Sequence, residues 1–317
     1  MSIMLKGFLV MALGLQLQAC TGICERPSVI EVYEVLAQGP GPEVTDAVMR
    51  RKIEQSGHPW KVRDLATGIE MVLVLPGEFL MGSPESEAGR GSDEGPQHRV
   101  RLTKAFYLGV TELTQAHWAG LMGETPSFFE GPDLPMDPSW NDVQGFLSKA
   151  NEGGPVGAAP LRLPTEAEWE YACRAGSTGP FAFDGAISQA LVNFNNGEVE
   201  SAVVVDGKLV VEWVTAPSDG CLMRPAIADS LPPNAWGLQG MHGGLWEWCA
   251  DLYSASGYVV GKSVAEDPFA RATGDSLRTL RGGSWYDSAS DCRSAVRDAG
   301  GSDVRSNRIG VRLARTL

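Results

Sequence analysis

Two adjacent glycines, Gly282 and Gly283, constrain this chain more than any other feature. A strand-like Leu277-Arg278-Thr279-Leu280 runs through Arg281 into the pair, which lets the backbone turn in ways that residues with side chains resist. Ser284-Trp285-Tyr286-Asp287-Ser288-Ala289-Ser290-Asp291-Cys292-Arg293 follows, mostly small and polar with one thiol. This composition predicts an exposed loop on a rigid scaffold, a common location for chemistry. A glycine-stapled turn whose Cys292 is buried or disulfide-bonded accounts for the same residues, and taken alone they favour it.

The rest of the composition fits a loop-rich globular fold pinned by aromatic anchors: 38 glycines, 20 prolines and 9 tryptophans in 317 residues. That length supports one large domain or two ordinary ones. The formal net charge is -13, and Arg50-Arg51-Lys52 is the one basic run. Phosphate contacts need clustered Lys and Arg, so a nucleic-acid partner is excluded.

Residues 1–20 read as an export leader. Lys6 precedes an apolar run from Gly7 to Leu15 that is too short to span a bilayer. Ala19-Cys20 resembles a bacterial lipobox, with Cys20 as the lipidated mature N-terminus and plain secretion as the alternative. The expected location is therefore the periplasm, outer membrane or cell surface, with membrane contact only through the lipid. The mass of the mature N-terminus tests this. Six cysteines occur, at 20, 24, 173, 221, 249 and 292. With Cys20 lipidated, an odd number remains, so at least one is free or paired between chains. The four histidines show no i, i+4 pair.

Residues 21–59 read as a tether ending in Gly39-Pro40-Gly41-Pro42, then a helix capped by Thr45 with Val48 and Ile53 inward. From Trp60, the apolar run Met71–Leu75, then Phe79–Ser83 and His98–Leu102, predict strands. His98 reads as a structural hydrogen-bonding group. One helix opens at Thr111–Thr114 with Ala116, Trp118 and Leu121 inward. Another is capped by Asn141 or Asp142 with Val143, Phe146 and Leu147 inward. Thr165 and Glu168 form a capping box, which accounts for Glu166 and Glu168 without catalysis. Asp206-Gly207 closes a hairpin over Val203–Val211. Pro132–Pro138 and residues 252–275 read as surface excursions, and Trp246 and Trp248 as core anchors.

These segments together resemble the formylglycine-generating enzyme (sulfatase-modifying factor) family from about Trp60 to Leu313. The resemblance is carried, in matching order, by Met71 to Gly82, Glu94 to Val100, Arg162 to Ala172, Pro232-Pro233-Asn234 to Trp248, Arg281 to Trp285, and Asn307 to Arg312. It implies a single α+β domain over residues 60–317, with the formylglycine-generating-enzyme fold of C-type-lectin-like character.

In the family's oxidases, two cysteines spaced five residues apart bind copper(I), which activates oxygen to convert a substrate cysteine to formylglycine. On this sequence the second cysteine is Cys292, the first falls on Asp287, and Ser284 matches the active-site serine. Copper(I) is soft and takes thiolates, so a carboxylate is a poor replacement. The resemblance also implies calcium. Its first site takes Asn193 and the Phe194 carbonyl, plus Asp219 and the Cys221 carbonyl if one residue is inserted before Pro232. Its second takes Gly243, Leu245 and Glu247, with Gly240 replacing a side-chain ligand and Gly244 standing where the family has Asn. The position expected to pair with Cys173 is Leu313, so Cys173 reads as a buried free thiol. The iron-dependent sulfoxide synthases of the family need a helical domain and histidines that this chain lacks.

Two functions follow. In the first, Cys292 captures a protein or peptide substrate thiol as a mixed disulfide and Ser284 positions oxygen or substrate. Arg293 would lower the thiol pKa, and Asp287 and Asp291 would raise it. In the second, the domain is a non-catalytic lectin-like module for a glycan, peptide or partner protein. Cys292 is then structural, with Cys249 as its candidate disulfide partner at a Cα separation under ~7 Å.

Overall fold

The fold turns on β-strands that the apolar runs dictate and on buried ion pairs that they do not. The computed structural model describes residues 32–152, 154, 158–195, 199–205, 208–214, 222–258, 261, 263–271 and 277–317. The expected leader, Cys20 and Cys24 lie outside the described residues, as do Asp206-Gly207, Asp219 and Cys221. Residues 31–317 form one compact unit.

In chain order the elements begin with β1 (Tyr33–Ala37), α1 (Ala47–Ser56), β2 (Lys61–Asp64), β3 (Glu70–Val74), β4 (Gly77–Met81), β5 (His98–Leu102) and β6 (Phe106–Gly109). Next come α2 (Gln115–Met122), α3 (Trp140–Asn151), β7 (Leu161–Arg162), α4 (Glu166–Arg174) and β8 (Gly185–Ala186). The rest are β9 (Val199–Val205), β10 (Lys208–Val214), β11 (Trp246–Leu252), β12 (Ala265–Glu266), β13 (Arg278–Arg281), β14 (Arg297–Gly300), β15 (Ile309–Gly310) and β16 (Ala314–Thr316). This is the α+β, loop-rich architecture read from the sequence.

The main sheet has the order β1-β2-β3-β6-β16-β7 and is antiparallel throughout. β3 sits inside it, which explains its unbroken apolar run: Met71 to Val74 are all buried. The sheet β14-β13-β11-β15 delivers the Gly282-Gly283 turn and pairs β11 with β15 in parallel. β9 and β10 pair in the register of the predicted hairpin, Val205 opposite Lys208.

Several expectations change. Within the segment read as a tether, Tyr33–Ala37 is the edge strand of the main sheet. The Gly-Pro stretch behind it is stitched down by Arg50, which donates to the Pro40, Gly41 and Val44 carbonyls at 3.1, 2.7 and 2.9 Å. Asp46, not Thr45, caps α1, and Met49 and Ile53 face the core while Val48 is exposed. Ser139 caps α3, with Asp142 completing its capping box. In α2, Gln115 and Trp118 are buried and Ala116 is exposed. Pro132–Pro138 is not a surface excursion: Leu134 and Met136 are buried, and Met136 N–H donates to the Leu113 carbonyl at 2.8 Å. The Thr165 capping box forms as expected at α4, and Trp246 and Trp248 are core residues.

Candidate functional site

β13 carries the chain into the core before the turn begins. Arg281 is fully buried; it donates to the Val296 carbonyl and pairs with Glu170, with Glu166 Oε1 at 3.6 Å. Glu166 and Glu170 of α4 stand four residues apart on one helix face. Glu166 also holds Arg297 at 2.6 Å, and Glu170 holds Arg174 at 2.8 Å. The α4 carboxylates therefore anchor the loop's base, a role beyond the capping read from sequence.

Gly282 and Gly283 then take φ of +104° and +77°. The second glycine is required by proximity as well as by conformation. A Cβ at Gly283 would lie 2.7 Å from Cys292 Sγ and 2.8 Å from the Asp291 carbonyl. The turn folds directly back onto the cysteine.

The loop it makes is not an exposed one. Ser284, Cys292 and Arg293 are buried, and Cys292 is 0% exposed. Its sulfur sits in an apolar cluster with Phe181, Ile187, Val192, Phe194 and Ala289. Burial pushes the Cys292 thiol well above the usual range, and the Asp287 and Asp291 charges push it further. Arg293 pulls the other way but is spent elsewhere: it forms ion pairs with Glu94 at 2.7 Å and Glu87 at 2.6 Å. The three charges act in the expected directions, and burial, the largest effect, leaves the thiol raised. The candidate Cys249–Cys292 disulfide does not form. Cys249 and Cys292 are both free thiols, in different apolar clusters. Cys173 is free and buried, as read.

Ser284 and Asp287, by contrast, do meet. Ser284 Oγ donates to Asp287 Oδ2, and the Trp246 indole N–H donates to the same oxygen at 2.8 Å. Asp287 is therefore an acceptor locked by two donors. A copper(I) ion would find one hard, already hydrogen-bonded oxygen and one sealed neutral thiol where two thiolates are needed, so the donor set does not fit it.

His242 is a site residue that sequence reading did not single out. Its Nδ1 lies 2.8 Å from the Cys292 carbonyl and its Nε2 3.0 Å from the Ala182 amide. The amide can only donate, so Nε2 accepts and Nδ1 carries the proton. Burial lowers its pKa to about 4, which keeps the ring neutral. The imidazole is a clamp on the loop's far end. The lone signal for it in the sequence was a histidine just ahead of Gly243-Gly244.

The residues implied for calcium divide into two cases. At the first site, Asn193 Oδ1 accepts from Ala226 N–H at 2.8 Å and the Phe194 carbonyl from Gln189 Nε2 at 2.6 Å. Each is a neutral oxygen of the kind calcium takes, and each already accepts a hydrogen bond. At the second, Glu247 is committed. Its carboxylate receives Arg312 Nη2 at 2.8 Å and the Trp169 indole N–H at 2.6 Å. Gly243 N–H donates to the Gly282 carbonyl and Leu245 N–H to Glu112 Oε1, each at 2.8 Å. Gly244 makes room for that carboxylate, since a Cβ there would lie 3.2 Å from both Glu112 oxygens. Arg312 already supplies Glu247 with its positive charge, and this set does not fit calcium.

Glu112 gives a pH prediction. Burial, then the neighbouring Glu247 charge, raises its pKa to about 8, against the partial relief of Arg312. The folded state thus binds a proton that the unfolded state has already released between its ordinary value near 4.5 and about 8. Stability is full at low pH for this group and is lost as pH rises through that window. Buried Asp251, raised to about 7, acts in the same direction lower down. Between pH 6.5 and 8 the unfolding free energy should fall by about 1–2 kcal/mol. Glu112→Gln should flatten that fall in urea titrations, and an unchanged slope in the variant would count against the assignment.

Beside Ser284 and Asp287 lies a row of aromatic rings, open at its two ends and buried at Trp285. Phe128 is 73% exposed and Tyr286 50%. Rings run from Phe128 to Phe129 at 5.0 Å, on to Trp285 at 5.7 Å and then to Tyr286 at 5.5 Å. Arg308 covers Tyr286 at 5.0 Å. The Trp285 indole N–H is fixed to the Asn307 carbonyl at 2.8 Å, so the row is rigid in its middle.

Comparison with known proteins fits this geometry. Residues 56–317 match the family described as sulfatase-modifying factor enzyme 1-like domain. The chain is similar to the formylglycine-generating enzyme of Streptomyces coelicolor, 32% identical over 288 residues, or 76% of this chain and 87% of that one. It is 25% identical over 209 residues to the Mus musculus protein named inactive C-alpha-formylglycine-generating enzyme 2, or 64% of this chain and 56% of that one. Among solved structures, PvdO from Pseudomonas aeruginosa superposes with a TM-score of 0.67 at 26% identity, over 81% of this chain and 98% of that one.

Proposed function

The chain belongs to the sulfatase-modifying factor family, and from that premise we propose that it uses the family scaffold as a non-catalytic module that binds a polypeptide. One observation carries the reading: the only thiol left of the oxidase pair, Cys292, is 0% exposed. A sulfur with no surface cannot form a mixed disulfide with a substrate, and a neutral thiol is not a nucleophile. Asp287, in the other cysteine's place, is engaged by Ser284 and Trp246. The mouse relative named as inactive shows that loss of activity has a precedent within the matched proteins.

Binding is assigned to the Phe128–Phe129–Trp285–Tyr286 face. Phe128 and Tyr286 are its exposed rings and buried Trp285 fixes its centre; aromatic side chains are what interfaces use as anchors. A peptide carrying the sulfatase cysteine motif is the natural probe, offered with and without copper(I). The expected result is binding by fluorescence anisotropy, weakened about tenfold or more in Phe128→Ala with Tyr286→Ala, and no aldehyde by mass spectrometry. Aldehyde formation would restore the oxidase reading. Absence of binding would remove the polypeptide one.

The proposal extends to calcium at Asn193 and Phe194, and to export with Cys20 as the lipid anchor. A ligand that binds only the folded state raises its melting temperature by mass action. Chelation should therefore lower the melting temperature by several degrees. An unchanged melt means hydrogen bonds alone hold the loop.

A further inference from the structure

A cavity of about 820 Å³ lies apart from this site, and none of its lining residues belongs to the 281–293 loop or to the aromatic row. That volume is in the range of small-molecule sites. One wall is a stripe of α3, Trp140, Gln144, Leu147, Ser148 and Asn151, at the spacing that puts residues on a single helix face. Strand ends and the start of α4 supply the other walls.

The charged groups of this cavity do not cancel evenly. Glu168 is closed by Arg162, which donates to both its oxygens at 2.7 Å, and by Thr165 N–H at 2.8 Å. Asp267 is closed by Thr103, through its backbone N–H at 2.8 Å and its hydroxyl. Both carboxylates of the lining are thus satisfied, and Arg162 is consumed with them. What remains is cationic. Among the described residues no carboxylate pairs with Arg278 or Lys104. The Arg278 guanidinium lies 4.0 Å from the Trp140 ring centroid. Arg278 Nε and Trp140 Nε1 are both buried without a hydrogen-bond partner. Asp267 keeps its charge, so Lys104, Arg162 and Arg278 stand against Glu168 and Asp267: the lining has one positive charge in excess, with unpartnered donors beside it. Leu147, Leu161, Leu163 and half-exposed Phe269 give it an apolar interior.

We propose that this cavity is a binding site for a small amphipathic carboxylate, its apolar body against the leucines and Phe269 and its charge on Arg278, with Lys104 at the rim. A planar guanidinium already stacked on an indole is held ready for a carboxylate and loses little freedom on engaging one. The site is independent of the polypeptide face and stands or falls separately from it.

The experiment uses the full chain and two isosteric probes, 3-phenylpropionate and 3-phenylpropanamide, by titration calorimetry. The acid should bind saturably and at least about tenfold more tightly than the amide. Arg278→Gln should lose about tenfold or more of the acid's affinity and leave the amide's unchanged. Because Arg278 lies in β13, a strand whose folding its loss can disturb, Gln144→Glu provides a second test from the helix wall. It places a negative charge in the cavity and should weaken the acid by a similar factor with an unaltered melting curve. Equal binding of acid and amide, equal binding of the acid to Gln144→Glu and the parent chain, or no saturable binding up to the acid's solubility would each overturn the proposal.

Discussion

Replacing Arg312 with methionine is expected to lower the unfolding free energy by about 3–5 kcal/mol, the cost of breaking a buried ion pair by removing one partner. Arg312 is 0% exposed. It holds Glu247 at 2.8 Å and donates to the carbonyls of Gly109, Val110 and Gln239 at 2.9, 2.7 and 2.8 Å. Methionine fills comparable space but leaves three acceptors and a carboxylate without their donor. Glu112, already destabilised as an anion by Glu247, sits in the same cluster. Urea denaturation measures the loss. The double change Arg312→Met with Glu247→Gln should recover part of it, because the residual charge is then gone, and that recovery is the coupling between the two residues. A single-variant cost under about 1 kcal/mol would mean the pair behaves like a surface salt bridge, and Glu247 would again be open to a metal.

This cluster also marks the limit of what the sequence reveals. The strands were legible because β3 and β5 carry their environment in their pattern, one apolar throughout and one alternating. The α4 start was legible because Thr165 and Glu168 satisfy each other within a single turn. The caps of α1 and α3 were displaced by one to three residues, since Thr45, Asp46, Ser139, Asn141 and Asp142 are all competent and the path of the incoming chain selects among them. The long-range ion pairs were not legible. Glu166 and Glu170 look like solvated helix charges until Arg281 and Arg297, more than a hundred residues away, reach them. The same holds for Cys292. Its sequence neighbours are Asp291 and Arg293, which suggest a polar, reactive setting. The residues that surround its sulfur, Phe181, Ile187, Val192 and Phe194, come from a segment about a hundred positions earlier. Family motifs gave the order of the elements and the position of the missing cysteine, but not the burial of the remaining one.

Burial makes the second large effect a kinetic one. A cysteine in an unfolded chain meets alkylating reagent at its ordinary pKa, near 8.5. Cys292 in the fold has neither access nor thiolate, and reaches reagent only when the loop or the domain opens. Opening that needs several kcal/mol slows modification by about a thousandfold or more. The barrier resides in Gly283, which permits the close approach, in the Phe181–Phe194 cluster, and in the His242 and Arg293 anchors on either side of the sulfur. Cys173 and Cys249 are buried and free and should share this protection, so they serve as internal references. The direct test is iodoacetamide labelling of the native protein, followed by peptide-level mass spectrometry of the fragment holding Cys292, with a parallel sample in urea. The account predicts that Cys292 stays unmodified while folded, on the same timescale as Cys173, and is labelled completely in urea. Rapid native labelling of Cys292 alone, with Cys173 still protected, would show a reachable thiol in that loop and contradict the non-catalytic reading.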